Sequence, residues 1–87
     1  MRYKNWIKTG DWGKRHQNVY GLKGKKTVIW LDNWGHGNWA VILGREFRGK
    51  KNMPIFKEDE VIFNGSKKDA LRVQRKWMKE HLDGVEI

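Results

Sequence analysis

Two short runs set the pattern of this chain. Val28-Ile29-Trp30-Leu31 and Trp39-Ala40-Val41-Ile42-Leu43 are continuously apolar and rich in β-branched and aromatic residues, as strands are. Between them, Asp32-Asn33-Trp34-Gly35-His36-Gly37-Asn38 carries two glycines able to take positive φ. Residues 27–44 therefore predict a β-hairpin. Neither run alternates apolar with polar, so both faces of the hairpin carry apolar side chains. Register decides which residues share a face. Pairing Asp32 with Gly37 sets Trp30 opposite Trp39, beside Val28 and Val41, and leaves Ile29, Leu31, Ala40 and Ile42 on an aliphatic face. Pairing Asp32 with Asn38 instead groups Trp39 with Ile29, Leu31 and Val41, and Trp30 with Val28, Ala40 and Ile42. The first arrangement is preferred, because its aliphatic face makes a smoother bed for a helix. Its tryptophan face then needs a cover: Tyr3, Trp6, Trp12 and Tyr20 of the N-terminal segment are the nearest source, with stacked bases, a partner's apolar surface or a second copy of the chain as the alternatives.

The remaining pattern is weaker until the C-terminal third. Residues 3–9 and 19–22 read as short strands, with a polar, glycine-bounded loop over 10–18 and a turn at Lys23-Gly24-Lys25-Lys26. Residues 45–54 read as a basic linker closed by Pro54, and residues 55–63 as a last strand, whole or broken at Glu58-Asp59. Asn64-Gly65 turns the chain. Ser66-Lys67-Lys68-Asp69 fits a capping box, and Lys67 to Leu82 holds neither glycine nor proline. Ala70, Leu71, Val73, Trp77, Met78 and Leu82 form an apolar stripe at helical spacing, with Gly84 placed as a stop. The expectation is one α+β domain over residues 1–87. It consists of a mainly antiparallel sheet of three to five strands with one C-terminal helix packed on one face.

Charge changes the picture most. Nineteen Lys and Arg against ten Asp and Glu give +9 over 87 residues, a field that attracts polyanions. There is no cysteine, so no disulfide or thiolate site can form and a cytoplasmic setting is expected. The longest apolar run is far shorter than the roughly 18 residues that span a bilayer. No signal peptide, membrane span or membrane partner is expected.

The charge is also patterned. Lys68, Arg72, Arg75 and Lys79 follow spacings of four, three and four, which stacks them in one line on the helix, with Lys76 alongside. A solvated face usually mixes signs, and this one scarcely does. Arg45, Arg48, Lys50 and Lys51 surround Gly49 in a stretch suited to gripping phosphates without reading sequence. Trp34 sits at the hairpin tip, either folded back as a lid or presented for stacking. Enzymatic chemistry is not expected. His16, His36 and His81 lack metal-ligand spacing, Asp32 is best explained as a turn former, and no phosphate-cradling or nucleophile motif occurs. No metal or cofactor is implied.

Trp39-Ala40-Val41 on a strand, then Phe63, then Ser66-Lys67-Lys68-Asp69-Ala70 opening a helix with Trp77, resembles a known layout. It is similar to small sheet-plus-helix DNA-binding domains, such as the arm-binding domains of phage tyrosine recombinases and the ethylene-response-factor type. It also resembles short uncharacterised phage and prokaryotic proteins with a W-x-V…F-x-S-K-x-x-A pattern. The resemblance covers roughly residues 27–82. It implies nucleic-acid binding, with DNA favoured over RNA. The expected function is a small basic protein that grips the phosphate backbone with little sequence reading, through Lys68, Arg72, Arg75, Lys79, Arg45, Arg48, Lys50 and Lys51, with Trp34 as a stacking contact. The rival from another class is a phage-type interaction or inhibitor protein that docks on an acidic protein surface.

Overall fold

The hairpin forms, and the sheet grows outward from it. The computed structural model describes residues 5–81. Its strands are β1 (Trp6–Trp12), β2 (His16–Leu22), β3 (Thr27–Gly35), β4 (Asn38–Arg48) and β5 (Pro54–Gly65), followed by the helix α1 (Lys67–Glu80). The five strands pair antiparallel in the order β1-β2-β3-β4-β5. Each strand thus lies beside its chain neighbours, and α1 packs across β3, β4 and β5. This is the expected α+β fold, at the upper end of the expected strand number. The strands are longer than their apolar runs suggest. β1 extends to Trp12 and β2 begins at His16, so most of the expected 10–18 loop is strand. β4 continues through the expected linker to Arg48, and β5 runs unbroken from Pro54. Proline is tolerated there because it opens an edge strand.

The preferred register is corrected. Asp32 lies opposite Ala40, Leu31 opposite Val41 and Asn33 opposite Trp39. His36 and Gly37 form the turn with positive φ of 54° and 72°, the signature of a tight type I′ hairpin. Trp34 is the extra residue of a bulge between Asn33 and Gly35, and such bulges re-aim a side chain. The two-residue turn with its bulge is what shifts the pairing. Consequently Trp39 joins Ile29, Leu31, Val41 and Leu43 on the helix side, with Trp6 and Leu22. Trp30 lies on the far side with Val19, Val28, Ala40 and Ile42. That division of the faces matches the second register considered, although the pairs lie two residues further along.

The cover over Trp30 is corrected in part, since of the expected residues among those described only Trp12 lies on that side. Trp6 and Tyr20 pack on the helix side, and Tyr3 lies outside the described residues. The far side is closed instead by Phe56 and His16, whose rings lie 5.5 Å from Trp30, with Trp12 6.3 Å from Phe56. A straight β5 would carry Phe56 about 26 Å from Asn64. Asn64 shares a row of the ladder with Ala40, Asp32 and His16. Phe56 nevertheless reaches the His16 ring at 5.3 Å, so the outer half of the β4–β5 hairpin folds back over the sheet. Two register shifts in that pair, one beside Gly44, allow the bend.

The helix begins where the capping pattern places it. Ser66 Oγ accepts from the Asp69 amide at 3.2 Å, but the Asp69 carboxylate turns to Arg72 instead of reaching back. Half of the capping box is therefore made. Ser66→Ala is expected to lower stability by about 0.5–2 kcal/mol, read as a shifted denaturation midpoint. The described helix ends at Glu80 with His81 as its cap, and Leu82 and Gly84 lie outside the described residues. Its buried line is Ala70, Gln74 and Met78. Trp77 is half-buried at the margin, edge-on to Trp6 and stacked on His81. Gln74 is fully buried and satisfied. It donates to the Asn18 carbonyl at 2.8 Å and the Ile29 carbonyl at 3.3 Å, and accepts from Asn18 Nδ2 at 2.6 Å. Asn18 holds φ 53° inside a β2 bulge, and Gln74 supplies partners there that the interrupted ladder does not.

Candidate nucleic-acid interface

The outward face of α1 carries the cationic line. Lys68, Arg72, Arg75 and Lys79 fall within a narrow arc of the helix, with Lys76 beside them, and all five are exposed. Arg72 is held by Asp69 at 3.0 Å, a solvent-facing i,i+3 pair. Among the described residues no carboxylate lies within ion-pair distance of Lys68, Arg75, Lys76 or Lys79. Four charges therefore face solvent uncompensated, and a fifth is partly neutralised. Mutual repulsion along such a line weakens the isolated helix slightly, which packing of the opposite face outweighs.

The line leads into one end of the sheet. There the β1–β2 turn Gly13-Lys14-Arg15, the β3–β4 turn and the start of α1 meet. Lys67 stands 4.8 Å over the Trp39 ring and reaches Gln17 Oε1 at 3.4 Å, while Gln17 Nε2 donates to the Lys14 carbonyl. The centre of this end is Asp32, only 3% exposed. Its Oδ1 accepts from Arg15 Nε at 3.1 Å and its Oδ2 from Trp34 Nε1 at 3.2 Å. A buried carboxylate needs such partners. Asp32 therefore acts as an anchor rather than only as a turn former. The Trp34 indole it holds is 43% exposed, and the Arg15 side chain 70%.

Arg45 and Arg48 are placed elsewhere, on β4 beyond its bend, while the turn that carries Lys50 and Lys51 leads through Met53 and Pro54 back to Trp12 and His16. Arg45 and Arg48 belong to the strand, and only Lys50 and Lys51 occupy the short 3-10 turn after it. Arg45 is bound twice to Asp59, at 2.9 and 3.0 Å, and Arg48 meets Glu46 at 3.4 Å. Both arginines are thus largely spent on carboxylates. Hydrogen bonds from Arg45, with its charge and that of Lys57, hold the Asp59 carboxyl below its ordinary value against a smaller opposing effect of desolvation. The pair's contribution is complete above the pKa of an ordinary aspartate and fades as pH falls through the depressed one. A carboxyl NMR titration should place the Asp59 midpoint below that of an ordinary aspartate, and Arg45→Gln should raise it.

The sequence pattern missed two groups of cations. Lys25 and Lys26 join the Arg45 end because Thr27 pairs with Arg45 and the Glu46 amide donates to the Lys26 carbonyl. Lys26 also sits 4.7 Å over Phe47. Lys14, Arg15 and Lys67 join the Trp34 end only through strand pairing, which no local spacing announces. Among the described residues no group of three or more His, Asp or Glu is placed to hold a metal ion, and no helix is long and apolar enough to cross a membrane. Compared with known protein families, curated proteins and solved structures, the chain matches none.

Proposed function

We propose that this chain binds nucleic acid, chiefly through the phosphate backbone and with little reading of sequence. The surface is the outer face of α1 together with the adjoining end of the sheet. The reading rests on one observation: Lys68, Arg75, Lys76 and Lys79 share an exposed helix face with no carboxylate partner among the described residues. An uncompensated line of cations suits a polymer that offers a charge about every 1.7 Å of duplex axis. DNA is favoured over RNA on the resemblance to sheet-plus-helix DNA-binding domains. The sheet itself is not assigned to a groove, because the helix covers one side and Phe56 and His16 fill much of the other. No base-reading residue and no catalytic group is assigned.

A salt titration tests the reading. Affinity for random duplex should fall linearly in log affinity against log salt, by about 0.9 per phosphate contacted. It should be nearly independent of base composition. Absence of binding to any nucleic acid at about 50 mM salt, where such contacts are strong, rejects it. The basic face is then assigned to an acidic protein surface.

A further inference from the structure

The end of the sheet around Asp32 is built more specifically than a phosphate grip requires. We infer that it takes an unpaired nucleotide, whose base stacks on Trp34 while its phosphate meets Arg15. Single-stranded or looped nucleic acid is then the preferred form of the ligand. This inference rests on the nucleic-acid reading above and adds to it a class of substrate.

Three observations carry it. Trp34 is the extra residue of the β3 bulge, so its indole is released from the alternation of the strand and turned to the surface. Its orientation is nonetheless fixed, because Nε1 donates to Asp32 Oδ2. The same carboxylate takes only Nε of Arg15, which leaves both terminal nitrogens of that guanidinium without a hydrogen-bond partner among the described residues. One buried acid thus holds an aromatic plane and a phosphate-competent fork side by side. A partner with both a flat apolar face and an anionic oxygen matches the pair, and each nucleotide of a single strand offers both.

A duplex presents its phosphates here but keeps its bases stacked inside. Trp12, 42% exposed, ends β1 next to the same Gly13-Lys14-Arg15 turn and offers a second stacking plane to a strand passing over it. The uncompensated cations also favour this occupant over an apolar protein surface. Lys14 belongs to the turn itself, and Lys67 is tied to it through Gln17.

The test uses the full chain labelled with 5-fluorotryptophan and followed by fluorine NMR. The six tryptophan signals are assigned by single Trp→Phe substitutions. A thymidine oligonucleotide about 12 nucleotides long and a random duplex serve as the two probes. The single strand should shift the Trp34 signal and leave that of Trp30, which is 2% exposed, in place. Trp34→Ala should weaken single-strand binding by about five- to a hundredfold and leave duplex binding within about twofold. Trp34→Phe should restore much of the loss, since phenylalanine still offers a ring. Arg15→Gln should flatten the single-strand salt dependence by about 0.7. Binding to both probes with the Trp34 signal unmoved, or equal losses on both in Trp34→Ala, overturns the inference and leaves the phosphate reading standing. Binding to neither probe overturns both.

Discussion

Gly44→Ala is expected to destabilise the fold by about 3 kcal/mol, the upper end of what overpacking costs. The position lies inside β4, beside the register shift where the β4–β5 hairpin begins to fold back. A methyl group built there would run into the Lys57 carbonyl and lie 2.9 Å from two carbons of the Trp30 ring. Neither neighbour can yield easily. The carbonyl is backbone of the paired strand, and Trp30 is fixed between His16 and Phe56. Relief would require the outer hairpin to lift, which would expose the far-side cluster that it closes. The measurement is the denaturant midpoint at unchanged slope. Gly21→Ala serves as the control, because its added methyl would meet only Val28 and Thr9 methyls at 3.8 and 3.9 Å. A Gly44→Ala midpoint equal to that of the parent would mean the bend is looser than the packing indicates.

That glycine also marks where reading the sequence stops working. Gly44 follows an apolar run and precedes a basic stretch, so local pattern makes it the end of the hairpin. Its actual role depends on an indole from β3 crossing above it, and no window of neighbouring residues contains that information. The same reason separates the two central tryptophans. Both lie in unbroken apolar runs, so their faces are set by the His36-Gly37 turn and the Trp34 bulge rather than by alternation.

The helix was legible because its signals are local. The Ser66 cap, the breaker-free stretch and the apolar stripe all lie within one segment. Even there the centre of the stripe was hidden. Gln74 lies four residues from both Ala70 and Met78 on the buried line, and its polarity conceals a position set by a bulge in β2. Half of the candidate surface shares this property. The α1 cations announce themselves by spacing, whereas Arg15 becomes part of the Trp34 end only because β2 pairs with β3.

Removing the α1 cations is expected to flatten the salt dependence of duplex binding more than any other surface change. Arg75→Ala with Lys79→Ala should lower the slope of log affinity against log salt by about 1.8, and adding Lys68→Ala should bring the loss to about 2.7. Arg72→Ala alone should change it by less than one contact's worth, because Asp69 at 3.0 Å already neutralises part of its charge. Affinity should fall for all sequences alike, since phosphate contacts position a protein without reading bases. Stability should move only by tenths of a kcal/mol. The three residues project from the exposed face and lack carboxylate partners among the described residues, and removing like charges relieves repulsion. Lys25→Ala with Lys26→Ala, near the Arg45 end, is the matched comparison, with the same charge removed from the other end of the sheet. If the slope falls in that variant and stays fixed in the helix variants, the phosphate surface belongs beside Arg45. If it falls only in the helix variants, α1 is the face that lies along the backbone.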